Sequence, residues 1–146
     1  MRVLIVENEP LIAISLAAEL RLAGHDVLGP STDADEALCL AGDHKADLAL
    51  VDVELHGTMD GIELARTLHA QCDVPTLLLT TEPVAAHANN SDAAMGIITL
   101  PFDPSELPES VHAAETVLRG GELEAPNIPS SLQLFGTWTT GPSRVQ

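Results

Sequence analysis

ADLALVDVELHGTMDGIELARTLHAQ (residues 46–71) changes its periodicity once, and that change decides the fold. The first part, ADLALVDV (46–53), is apolar almost without alternation, as in a strand covered on both faces. The last part, DGIELARTLHAQ (60–71), reads as a helix, with Asp60 and Glu63 at the spacing of a capping box. Between them the chain leaves the strand on an acid, Asp52, and passes through the loop ELHGTM (54–59).

The same unit recurs in both directions. RVLIV (2–6) is a short β-branched run, and EPLIAISLAAELRLAG (9–24) has helical spacing, with Pro10 suited to a first turn and Gly24 to a C-terminal cap. HDVLG (25–29) reads as a second strand and DADEALCLAGDH (33–44) as a helix capped by Asp33 or Asp35. Downstream, PTLLLTT (75–81) is a fourth strand, GIITL (96–100) a fifth, and DPSELPESVHAAETVLRG (103–120) a last helix in which Pro108 marks a start or kink. Segment 83–94, rich in Ala, Asn and His, reads as a poor helix.

Five β–α repeats with continuous apolar strands predict an α/β fold, a parallel sheet covered on both faces. The expected domain is 1–121. Beyond the Gly120-Gly121 break, residues 122–146 carry three prolines and are expected to form a mostly flexible tail that adds little to stability. Packing of LQLF (132–135) or Trp138 back onto the domain is the alternative.

A chain of 146 residues suffices for one domain with a real core, and at 45% apolar but 2% aromatic that core is built from Leu, Val, Ile and Ala. With 22 acids against 6 bases, a formal charge of −16, the chain lacks the clustered cations and aromatic platforms that nucleic acids require. No apolar run approaches the roughly 18 residues of a membrane span. Met1 leads directly into the first strand, leaving no room for a signal peptide, so a cytoplasmic location is expected. Cys39 and Cys72 lie far apart without a C-x-x-C and read as buried structural thiols; His69 with Cys72 lacks the second ligand pair of a metal site.

Open α/β sheets bind ligands outside the carboxyl ends of their strands. Those ends carry Glu7-Asn8-Glu9, Asp52, Thr80-Thr81 and Leu100-Pro101. If strands 1 and 3 are neighbours, Glu7, Asn8 and Asp52 converge as hard oxygen ligands suited to Mg²⁺ with several waters retained. The alternative is that strand-end acids merely cap neighbouring helices.

Over residues 2–120 these positions together resemble a response-regulator receiver domain. The resemblance implies a flavodoxin-like (βα)5 doubly wound sheet of strand order 2-1-3-4-5. It matches the acidic pair after strand 1 to Glu7 and Asn8, the phosphoacceptor aspartate to Asp52, and the Thr or Ser after strand 4 to Thr80. It implies phosphoryl transfer to Asp52 from a histidine kinase or histidine phosphotransfer protein. Mg²⁺ would be held by Glu7, Asn8, Asp52 and the Glu54 backbone carbonyl, and the Thr80 hydroxyl would donate to a phosphoryl oxygen. A partner protein would read a change passing from strand 4 to the last helix.

Several residues depart from that pattern. Asn8 stands where the family has a second acid, Leu100 where it has a lysine, and Ile97 where an aromatic switch residue is common; the loop 54–59 is one residue longer than usual. A lysine about 4 Å from an acyl phosphate contributes roughly 4 kcal/mol at an effective dielectric near 20. Asn8 and Leu100 nonetheless remove one charge of each sign, so they read as a coupled pair. His56 is a possible substitute donor or a solvated loop residue. Glu9 suits a helix cap or a metal-bound water. Helix 1 is apolar beyond one stripe, which offers Leu11 and Ile14 as a docking patch for a kinase helix bundle or as extra burial.

The expected function is a stand-alone, single-domain response regulator that acts through an unidentified downstream protein. It would not be an enzyme beyond its own phosphorylation and dephosphorylation. The alternative is a degenerate receiver that binds proteins without phosphorylation. A nucleotide-binding enzyme would want a Gly-rich loop after strand 1, and ENEP has no glycine.

Overall fold

The computed structural model describes residues 1–82, 92–122 and 128–135. Most of the 83–94 segment, and Trp138, lie outside them. In chain order the elements are β1 (Arg2–Val6), α1 (Pro10–Leu22), β2 (Asp26–Ser31), α2 (Ala34–His44), β3 (Leu48–Asp52), α3 (Gly61–Cys72), β4 (Thr76–Thr80), β5 (Gly96–Thr99), α4 (Leu107–Leu118) and β6 (Leu132–Leu134). The sheet order is β2-β1-β3-β4-β5-β6, the expected 2-1-3-4-5 with one strand added. Strands β1 to β5 are parallel, so their carboxyl ends share one edge of the sheet.

Apolar continuity places the inner strands. Val3 to Val6, Leu48 to Val51 and Leu77 to Leu79 are all fully buried, because helices cover both faces of β1, β3 and β4. β2 is the edge strand, half exposed, and breaks register with β1 between Leu4 and Val6. Helix starts follow local chemistry. The Asp33 carboxylate accepts from the Asp35 N–H and the Asp60 carboxylate from the Glu63 N–H, each at 2.9 Å, supplying orphan donors of the first turn. Before α4 a 3₁₀ turn, Pro104–Glu106, is capped by Asp103, which puts Pro108 in the first helical turn, where its missing N–H costs nothing. No helix among the described residues is long and apolar enough to cross a membrane.

The expected boundary at 121 is corrected by residues 128–135. Leu132–Leu134 pair antiparallel with β5, and the Phe135 N–H donates to the Met95 carbonyl at 2.9 Å. The physical reason is the open edge of β5, a row of backbone donors and acceptors that pairs with any available extended segment. LQLF meets that need, with Leu132 and Phe135 buried and Gln133 exposed. Pro129 precedes the strand and accepts from the Leu132 N–H, so it interrupts no ladder bond. Gly96 permits the approach, because a Cβ there would sit 2.6 Å from the Gln133 carbonyl oxygen.

Phe135 is 2% exposed, so Phe135→Ala should cost about 3 kcal/mol as a core aromatic truncation. Thermal denaturation should show a fall in Tm of about 10 °C. An unchanged Tm would mean that the C-terminal strand is not part of the cooperative unit.

Candidate functional site

Glu7 follows β1, Asp52 ends β3, Thr80 ends β4 and Leu100 follows β5. Parallel register sets Val6 beside Val51, Asp52 beside Leu79 and Thr80 beside Thr99, so the four side chains meet on one edge. They line a cleft of about 280 Å³ together with Asn8, Glu9, Glu54 and His56. Every site residue expected from the sequence therefore reaches one place.

Two of its carboxyl groups are buried against each other. Glu7 is 1% exposed and Asp52 8%. The Glu7 backbone is pinned by its N–H to the Ser31 carbonyl at 2.9 Å, so the side chain cannot retreat. Burial, then a hydrogen bond with the Asp52 carboxyl, then the negative charges of Asp52 and Glu9 push the Glu7 pKa from 4.5 up to about 8. At neutral pH, with no cation bound, Glu7 keeps its proton and shares it with Asp52. Its Oε2 is buried with no hydrogen-bond partner among the described residues.

The walls are held by the loop after β3. Asp52 Oδ1 accepts from the Glu54 N–H at 2.9 Å, and the Asn8 amide donates to the Glu54 carbonyl at 3.2 Å, joining the loops after β1 and β3. α3 closes onto the same strand end: the Gly61 N–H donates to the Val53 carbonyl, and a Cβ at Gly61 would collide with the Asp52 carbonyl. The one sequence signal for this close approach is the Asp60-Gly61 pair at the helix start. Thr80 is 4% exposed and its Oγ1 accepts from the Glu82 N–H at 3.0 Å, leaving its own hydroxyl proton to donate elsewhere.

No lysine or arginine lines the cleft. The sole lysine of the chain, Lys45, caps α2 in a left-handed conformation ahead of β3, at the opposite end of the strand from Asp52. A hard divalent cation fits this donor set, since it would displace the shared proton and give the orphaned Glu7 oxygen a partner. Among the described residues no three His, Cys, Asp or Glu side chains form a metal-binding group. The cleft's two buried carboxyls and one carbonyl match a cation that keeps much of its water shell.

Beside this cleft lies an apolar one of about 380 Å³ between α1 and the chain after β5, lined by Leu11, Leu16, Phe102 and Pro104 among others. The two share Ile12, Thr81 and Leu100. Leu11 and Ile14 are 78% and 63% exposed, so the surplus apolar face of α1 is not buried under neighbouring helices.

A family model described as the response regulator receiver domain matches residues 3–112. The transcriptional regulatory protein PdtaR of Mycobacterium tuberculosis is 34% identical over 121 residues, covering 81% of this chain and 58% of that protein. The phyllosphere-induced regulator PhyR of Methylorubrum extorquens is 30% identical over 106 residues, covering 72% and 40%. The chain spans about half the length of the curated relatives it matches. Among solved structures, the signal receiver domain of a modulated diguanylate cyclase from Desulfovibrio desulfuricans G20 superposes with TM-score 0.69 at 33% identity, covering 77% of this chain and 90% of that one. The chemotaxis response regulator CheY4 of Vibrio cholerae gives 0.69 at 28%, covering 77% and 96%.

The pH dependence follows from the sign of the Glu7 shift. Between 4.5 and about 8 the folded state holds a proton that the unfolded state has released, so this group's contribution is complete below 4.5 and is lost as pH rises to about 8. Metal-free stability measured by urea denaturation should fall across that range, and Glu7→Gln should flatten the fall. A Gln variant with the wild-type slope would show that Glu7 is not the group that titrates.

Proposed function

The chain belongs to the response regulator receiver domain family, and from that premise we propose that it accepts a phosphoryl group on Asp52 and signals through protein contacts. The donor is the phosphohistidine of a histidine kinase or phosphotransfer protein, and the place of action is the cytoplasm. An Asp52 carboxylate oxygen attacks phosphorus, the P–N bond breaks, and the histidine ring leaves with the bond's electron pair. The observation that carries this reading is the convergence of Glu7, Asp52 and Thr80 in one cleft with a buried carboxyl oxygen lacking a partner.

Phosphoryl transfer asks the protein mainly for position and charge neutralisation. Glu7, Asp52 and the Glu54 carbonyl are the residues to hold Mg²⁺, with Asn8 beside them holding that carbonyl. When bound, Mg²⁺ supplies the positive charge that lets carboxylates and phosphoryl oxygens come together. With that charge in place Glu7 would serve as a carboxylate, its proton passing to solvent. Thr80 rotates its hydroxyl proton toward the phosphoryl group while its oxygen lets go of the Glu82 N–H. Leu100, at the position of the family's lysine, brings no charge and instead continues the apolar wall toward α1. Leu11 and Ile14 beside that wall suit docking of the donor's helices, which would deliver the phosphohistidine to the mouth of the cleft.

Intact mass after incubation with acetyl phosphate and Mg²⁺ should show the gain of one phosphoryl group, absent in EDTA and in Asp52→Ala. A gain that survives either control overturns the mechanism. No gain with any donor favours a receiver that binds partners unphosphorylated, a reading to which the lack of lysine or arginine among the cleft's lining residues points.

Asn8 and Leu100 line the same cleft, so the proposed charge pairing is open to a double-mutant cycle. Asn8→Asp should tighten Mg²⁺ and destabilise the metal-free fold, and Leu100→Lys should do the reverse. The double variant should depart from additivity by about 1 kcal/mol or more. Additive changes in both Mg²⁺ affinity and stability would mean the two positions do not sense each other.

A further inference from the structure

Ile97, at the position of the usual aromatic switch, is fully buried in β5 and has no ring to swing outward. The chain offers another element on the same strand. β6 covers the outer edge of β5, and a continuous backbone path joins it to the site. The Leu100 N–H donates to the Thr80 carbonyl at 2.7 Å, Thr99 lies beside Thr80, and the Thr99 N–H donates to the Ser131 carbonyl at 2.9 Å. Thr80 thus stands at one end of a rung across three strands, and β6 begins at the other.

We infer that β6 is the output element of the phosphoacceptor site, held on β5 while Asp52 is unmodified and loosened when Thr80 turns to a phosphoryl group on Asp52. The inference rests on the receiver reading and assigns its regulation. Thr80 Oγ1 now accepts from the Glu82 N–H, and turning that hydroxyl to Asp52 pulls the end of β4 toward β3. Leu100 follows through its short bond to the Thr80 carbonyl, and the Thr99–Ser131 bond, the last of the rung, bears the displacement.

β6 is suited to yield where the other strands are not. It has three residues, against full burial on both faces for the inner strands. It carries a local polar mismatch, since Ser131 Oγ is buried without a partner among the described residues. Its seat depends on Gly96, where a single methyl would meet the Gln133 carbonyl. A three-residue edge strand held by few backbone bonds opens more readily than the inner strands, so a small bias shifts its population. Release would also expose Leu132, Phe135 and the β5 edge to a partner.

Hydrogen exchange of the full chain, with and without acetyl phosphate and Mg²⁺, tests this directly. Intact mass on the same samples reports whether Asp52 is modified. Amides of 132–135 should exchange roughly tenfold faster in the phosphorylated protein, with those of β1 and β3 unchanged. Asp52→Ala under the same conditions should show no change. Gly96→Ala should unprotect 132–135 without any phosphodonor and, by reciprocity, change the extent of Asp52 phosphorylation. A phosphorylated chain with unaltered protection at 132–135 overturns the role of β6 and leaves the receiver reading standing. No phosphoryl gain overturns the phosphoacceptor reading and the role of β6 with it.

Discussion

Two carboxyl groups are forced together at the ends of adjacent strands, and the site is organised around that conflict. β1 and β3 are parallel and in register, so the residue after Val6 and the residue after Val51 have nowhere else to go. Buried like charges in contact cannot both ionise, and one proton resolves the conflict by bridging them. The fold pays for this geometry with backbone bonds that prevent relaxation: Ser31 holds Glu7, Glu54 holds Asp52, and α3 packs so closely on the strand end that residue 61 must be glycine. In the proposed function, this shared proton is what an arriving cation would displace.

That displacement alters the charge accounting of the cleft. Three carboxylates with one lysine carry the same formal charge as Glu7 with Asp52, which is how Asn8 and Leu100 read in the sequence. With one proton shared between them, however, the buried Glu7 and Asp52 pair holds one negative charge instead of two. It is less repulsive to an approaching phosphoryl group than the count of acids implies. In the proposed reaction, Leu100 in place of a lysine would matter most after transfer, when an acyl phosphate on Asp52 would have Thr80 and any bound cation beside it and no ammonium. Leu100 gains a different role, since the same side chain closes the apolar cleft that runs to Leu11 and Phe102.

Much of the fold was legible because its strands are covered on both faces and so advertise themselves as unbroken apolar runs. Strand and helix assignments at 2–6, 33–44 and 60–71 agree with the observed elements to within a residue or two at each end. The site was legible for a related reason: strand-end acids and hydroxyls stand out against such runs, and the sheet order brings Glu7, Asp52 and Thr80 together. What could not be read was anything decided by distance in space. Gly61 looks like an ordinary helix start until the Asp52 carbonyl is placed against it. The Glu7 pKa depends on how deeply two residues 45 apart in sequence are buried together. LQLF looked like part of a Pro-rich tail, because a three-residue strand has too little periodicity to announce itself and its partner edge lies some 35 residues earlier.

The added strand also changes what the edge of this sheet can do. An uncovered β5 would offer its backbone to any extended segment, and a long edge strand in its place would do the same one step further out. Three residues make a poor template, so β6 blunts the edge while remaining short. Stability and responsiveness pull in opposite directions here. The inner strands, wholly buried, can transmit a displacement but cannot present it to solvent. Gln133 and Leu134, on a strand joined to β5 by few bonds, can present it but contribute little to the core. Dividing these tasks between a rigid sheet and a marginal edge strand lets a change confined to Thr80 reach the surface without disturbing the strands that hold Glu7 against Asp52.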